Sequence, residues 1–320
     1  MIDFRYHLVT IIAIFLALAV GIVVGTTALN GPVLDGLRDR NSALISDKRA
    51  LQGDVRDLQA DVDTADDFAR VLSGDVLEGR LDGSRVLLVT TPGADGSLPG
   101  ELSETLTDAG ATVTGRLALQ ETLLDPAQRQ LVDDLVAQVV PAGLELPEGS
   151  AAERAGAELA AALVTGGDDA IDRAAAREIV SAFEEAGLVD LADEDAELTT
   201  ATLVVVLAAP ASEEPDDDRA EQVEQTLGVV GQLQAQARGT VVAGPTEALL
   251  DGGLLRAVRG DGDLDAAVST VDNVDRAVGQ IAVVLALREQ LQGGTGRYGS
   301  GQGAQAPVPS DAPADDADAE

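Results

Sequence analysis

Three regimes of hydrophobic patterning follow one another along the chain. From Leu8 to Ala28 a run of 21 residues carries no charge. At 1.5 Å per residue that is enough helix to cross a hydrocarbon core about 30 Å thick. After Asn30-Gly31-Pro32, which reads as a breaker, leucine returns every seventh residue at Leu37, Leu44, Leu51 and Leu58, followed by Ala65 and Leu72. Three residues ahead of each stand Leu34, Asn41, Lys48, Val55, Val62 and Ala69. This a/d heptad pattern predicts a parallel coiled coil over residues 32–77. Asn41 and Lys48 are polar a positions, which cost stability and favour one register. The alternative is a long amphipathic helix packed on its own domain.

From residue 78 the period changes to short, continuously apolar runs separated by helical stretches. Arg85–Thr91, Ala111–Thr114, Thr202–Ala209, Thr240–Gly244 and Val268–Val271 read as strands. Leu98–Ala109, a segment capped by Asp125-Pro126 and running to Val140, Ala151–Val164, Asp172–Ala186, Ala220–Ala237 and Asp275–Leu291 read as helices. Strands rich in Val and Leu without polar alternation, spaced by helices, predict a mostly parallel sheet covered on both faces. The fold class is therefore α/β, with a Rossmann-like domain over 78–292. The Gly-, Pro-, Ala- and Asp-rich stretch 293–320 is expected to be a disordered acidic tail.

The uncharged run admits two readings. A cleaved signal peptide would have a shorter apolar region and a more basic start than Asp3 and Arg5 provide, although Thr26 and Ala28 mimic a cleavage site. An uncleaved transmembrane anchor over 8–28, with residues 1–7 as its cytoplasmic foot, is the better fit. Arg5 lies before the span and Arg38 and Arg40 after it, so counting basic residues does not orient it. Within the span Ala13, Ala17, Gly21 and Gly25 recur every fourth residue. Small residues at that spacing let two helices approach closely. The predicted self-association face thus comprises Ala17, Gly21 and Gly25, then Leu34, Leu37, Asn41, Leu44, Lys48, Leu51, Val55, Leu58 and Val62.

Composition narrows the function. The 320 residues carry 56 acids against 21 bases, a net charge of −35, a field that repels phosphate backbones and excludes nucleic acid as a partner. No cysteine is present, so disulfides, thiolate metal sites and thiol catalysis are absent together. The one histidine, His7, precedes the span, and the one lysine, Lys48, lies in the coil. Ser-His and Ser-Lys catalysis therefore lack a base in the α/β domain. Gly294–Gly299 matches G-x-G-x-x-G but follows a helix where the dinucleotide fingerprint follows a strand. Thr91–Ser97 follows a strand but has no phosphate-binding lysine. Asp261, Asp263 and Asp265 alternate as in a calcium loop but lack its glycine at the sixth place and glutamate at the twelfth. An envelope hydrolase using two carboxylates is a residual alternative, and no pair stands out for it. The expectation is no enzyme, no cofactor and no metal site.

The foot Met1-Ile-Asp-Phe-Arg-Tyr-His7 raises its own question, since the only methionine, the only histidine and two of six aromatics cluster there. Met1 is the start residue, and Phe4, Tyr6 and His7 suit a headgroup layer, so a membrane foot explains them more simply than ligation of a soft metal does.

MIDFRYHLVTIIAIFLALAVGIVVGT followed by the coil resembles the start of the actinobacterial MctB family, named for mycobacterial copper transport protein B. Ser269–Asp275, Gly279-Gln280 and Gly293-Gly-Thr-Gly-Arg-Tyr-Gly299 resemble that family too. The resemblance implies a single-pass cell-membrane protein, amino terminus cytoplasmic and bulk extracytoplasmic. It also implies a role in copper export or homeostasis, indirect or through a partner membrane protein. Through SteB-like members it implies, alternatively, a scaffold or regulator of a cell-separation complex.

Overall fold

The computed structural model describes residues 4–165, 171–192, 198–212 and 217–310; the side chains of 4, 5, 26–38 and 217 also lie outside the description. The chain divides into two compact units, residues 1–65 and 66–320. Helix α1 spans Phe4–Leu77. The expected breaker is overturned, because α1 passes through Asn30-Gly31-Pro32. A mid-helix proline removes one backbone bond and crowds the preceding turn, at about 3 kcal/mol; cooperative helix on both sides offsets it.

In the second unit the elements are β1 Arg85–Thr90, α2 Leu98–Asp108, β2 Thr112–Leu119, α3 Glu121–Leu124, α4 Arg129–Val139, α5 Ala151–Leu163 and α6 Arg173–Glu185. They continue as β3 Val189–Ala192, β4 Leu203–Leu207, α7 Asp217–Gln236, β5 Gly239–Ala243, α8 Leu254–Gly260 and α9 Gly262–Ala267. β6 Ser269–Val271, α10 Ala277–Leu291 and β7 Arg297–Tyr298 complete the unit. The sheet order is β3-β2-β1-β4-β5-β6-β7, parallel throughout except for β2 against β3. β1 is the branch point: the chain leaves it for β2 on one side and later returns beside it as β4. The Rossmann-like expectation holds.

Successive strand residues feed opposite layers, as the period of 2 requires. Leu87, Val89, Val204, Val206 and Val242 join a core with α4, α5, α6, α7 and α8. Val86, Leu88, Leu203, Val205, Leu207 and Val241 face α2 and α10. Both faces being buried explains why the strands read as unbroken apolar runs.

The expected boundaries shift at both ends. Asp66 Oδ1 accepts the Ala277 N–H at 2.7 Å and Leu77 is buried in the α2/α10 core, so the last turns of α1 belong with the α/β unit rather than with the coil. The disordered tail expected from residue 293 does not begin there: Arg297–Tyr298 is the seventh strand, paired with β6, and the expectation for residues 311–320 lies outside the described residues. The antiparallel edge strand β3 was not among the sequence-expected strands. Val189-Asp-Leu-Ala192 is too short and too mixed to announce itself.

Candidate functional site

On the first unit, Tyr6–Gly25 forms one helix apolar enough to cross a membrane, none of it buried in the protein. Gly21 and Gly25 have no heavy atom within 4 Å of where a Cβ would stand, and Ala17 shares their stretch. Leu34 and Leu37 have side chains outside the description. Further on, Leu44, Leu51 and Leu58 are 67%, 64% and 64% exposed, with Val55 and Val62 also exposed. Asn41 and Lys48 are exposed beside them. Fully burying a leucine is worth roughly 1.5–3 kcal/mol, so these leucines form an exposed apolar stripe of the kind that marks interaction surfaces. A groove of about 560 Å³ runs along this stripe, lined by Leu44, Asp47, Lys48, Leu51, Gln52, Val55 and Arg56. Asp47 was not among the sequence-predicted residues. Its heptad position, g, directly before a lysine at a, is the signal that marks it.

On the second unit a cleft of about 670 Å³ opens at the carboxyl ends of β1 and β2. Its floor is the row Thr90, Ala118 and Asp190 across β1, β2 and β3, with Arg116 and Ala192 one row back. Open α/β sheets hold ligands at this edge, but the lining is ill suited to phosphate. The lining includes three carboxylates, Asp95, Glu121 and Asp190, and one guanidinium, Arg116. The Asp95 carboxylate accepts both the N–H and the Oγ–H of Ser97 at 2.9 and 3.0 Å, which holds its pKa below the usual value. That carboxylate stands in the turn just ahead of α2. Thr91–Ser97 is a strand-to-helix turn built on an aspartate.

The remaining motifs are structural. Asp261 caps α9, accepting from the N–H groups of Asp263 and Leu264 at 3.1 and 3.0 Å, and Asp265 pairs with Arg297. Those carboxylates serve a helix start and a strand tie. In Gly294–Gly299, a Cβ on Gly294 would meet Glu289 Cγ at 2.7 Å, and one on Gly296 or Gly299 would collide with Tyr298 or Asp272. Gly299 also sits at φ +126°. These glycines let the chain close against β6.

The knot they surround is Asp272, fully buried, whose Oδ1 accepts the N–H groups of Ser300 and Gly301, each at 2.8 Å. Its Oδ2 accepts from Arg259 Nη2 at 2.9 Å. Arg259 also donates to Thr270 Oγ1 and to the carbonyls of Tyr298 and Gln302. A second buried acid, Glu158 on α5, has no hydrogen-bond partner for either oxygen, and burial pushes its pKa up to about 8. Tyr298, buried and donating to Glu289, has its pKa raised by burial first and by that neighbour second. None of these groups faces either opening described above. Among the described residues no group of three His, Cys, Asp or Glu side chains is placed to hold a metal.

One N-terminal apolar helix, an uncovered heptad stripe and a Rossmann-like α/β unit thus define the class. The chain belongs to the family described as copper transport outer membrane protein, MctB, which it matches over residues 1–309. It is 28% identical over 314 residues to the copper transporter MctB of Mycobacterium tuberculosis, covering 95% of this chain and 98% of that protein. The same identity holds over 316 residues with the copper transporter MctB of Mycobacterium leprae.

Proposed function

We propose that this chain is a non-enzymatic, membrane-anchored envelope protein that supports copper homeostasis through a partner, without ligating copper itself. Its amino terminus is cytoplasmic and its α/β unit extracytoplasmic. Two copies pair through the small-residue face of the span and the heptad stripe. The observation that carries the reading is the donor set. Cu(I) is held by thiolate, thioether and imidazole, and the chain offers no cysteine, one methionine and one histidine. Family membership supports the copper role; the lack of soft donors supports its being indirect. The sheet adds a further constraint. A membrane barrel needs strands of about 9–11 residues alternating apolar and polar, and the strands here are 2 to 8 residues long with helices on both faces.

Two measurements test it. Titrated calorimetrically, the full chain in lipid nanodiscs binds neither Cu(I) nor Cu(II) beyond weak carboxylate association; a stoichiometric site of about micromolar affinity or better overturns indirect action. A deletion strain becomes copper-sensitive with normal septation. Chained cells with unchanged copper tolerance would instead support the SteB-like reading, a coiled-coil scaffold of a cell-separation complex, which the uncovered stripe also favours.

A further inference from the structure

We infer that the groove between Leu44 and Arg56 is one half of a self-complementary joint. Its occupant is the same groove of a second copy, parallel and in register, with Lys48 of each chain seated beside the partner's Asp47. This rests on the paired-coil reading above and adds its direction, its register and the ion pair that specifies both.

The lining residues make the case. In a parallel two-stranded coil each knob enters a hole of four facing residues. An a knob enters the hole made by the preceding d and g, the same a and the following d. For Lys48 those are Leu44, Asp47, Lys48 and Leu51. A d knob enters the hole made by the preceding a, the same d, and the following e and a. For Leu51 those are Lys48, Leu51, Gln52 and Val55. Together these two adjacent holes account for every residue lining the groove except Arg56. The groove is therefore lined by the residues that would form the two holes receiving Lys48 and Leu51 of a second copy.

Charge selects the direction. Lysine at an a position would set two ammoniums against each other, but the hole that receives it contains a carboxylate. Each Lys48 can lean toward the partner's Asp47, with its stem over Leu44 and Leu51. Parallel pairing also places each g residue by the partner's next e residue. Asp47 then faces Gln52 and Asp54 faces Gln59, pairs in which an amide N–H donates to a carboxylate. Antiparallel pairing would place g against g and line Asp47, Asp54 and Asp61 along one another. Anchoring both copies in one membrane by Tyr6–Gly25 favours the same direction. A different protein would have to bring its own acid to the g position; a second copy carries it already.

The chain's lack of cysteine makes the test clean. In the full chain in lipid nanodiscs, Leu44→Cys alone and Leu58→Cys alone each form self-disulfides under mild oxidation. A mixture of the two gives no 44–58 link, since 14 residues of helix separate those layers by about 21 Å. A 44–58 link, or no link from either variant, overturns the inference. On the Leu44→Cys background, Asp47→Lys weakens pairing by about tenfold, and Asp47→Lys with Lys48→Asp restores it to within a few-fold. Unchanged cross-linking in Asp47→Lys, or no recovery in the swap, overturns the ion pair.

Discussion

Glu158 illustrates how little a residue's identity says about its burden. It lies on α5 among buried alanine, glycine and leucine, and it is wholly enclosed with neither oxygen bonded. With a native pKa of about 8 against an ordinary 4.5, the folded state holds the proton more tightly than the unfolded chain does. Its contribution to stability is therefore full below about pH 4.5 and is lost as pH rises through 8. Glu158→Met keeps the shape and removes the unbonded oxygens. It is expected to stabilise the α/β unit by roughly 1–3 kcal/mol near neutrality and to flatten the fall between pH 5 and 9, read from urea unfolding followed by Tyr298 fluorescence. Asp272 is the opposite case, since every oxygen is engaged. Asp272→Asn leaves Arg259 buried without its counter-charge, at a cost of roughly 3–5 kcal/mol. Hydrogen exchange should show the amides of Ser300 and Gly301 losing protection before those of β4 and β5 do.

At the scale of elements, helix packing depends on close approaches that periodicity does not reveal. α5 crosses α7 where Gly156 faces Val229, and an added Cβ would stand 2.9 Å from Val229 Cα. Backbone cannot yield as a side chain does, so Gly156→Ala forces the helices apart. The expected loss is about 1–3 kcal/mol, visible as a lower urea midpoint with unchanged slope. Elsewhere the elements were legible because they obey local rules. Asp125 accepts the Ala127 N–H, capping the 3-10 turn Pro126–Gln128 that leads into α4, β4 falls within its expected apolar run and β5 overlaps its own, displaced by one residue. β7 was not legible. Two residues in a glycine-rich stretch carry no strand pattern, and their conformation depends on Asp272, Arg259 and Glu289, which precede them in the chain.

At the scale of the whole molecule, the proposed pairing of two copies is what the stripe puts to the test. Leu44→Asp with Leu51→Asp puts four carboxylates into adjacent layers of a dimer seam. It is expected to abolish dimerisation of residues 29–320 in light scattering while leaving the α/β unit folded, because that unit's core shares no residue with the stripe. Lys48→Leu has the opposite sign: a polar layer becomes apolar, the dimer tightens, and register discrimination weakens. A monomeric wild-type fragment at tens of micromolar would instead assign the stripe to a different occupant.

Some of this was determined by the sequence alone. Periods of 3.5 and of 3.6, and unbroken apolar strand runs, depend only on which neighbours share a face. They specified the apolar helix, the heptad stripe and the α/β class. Composition likewise excluded thiolate ligation, since a missing side-chain type is missing in every fold. Tertiary structure alone decided the antiparallel edge, the seventh strand, the attachment of the end of α1 to the α/β unit and the isolation of Glu158. Each of these depends on groups distant in sequence meeting in space, as Asp66 meets Ala277 and Asp272 meets Gly301. No local pattern encodes such meetings, because their free energy arises only when the rest of the sheet is already in place.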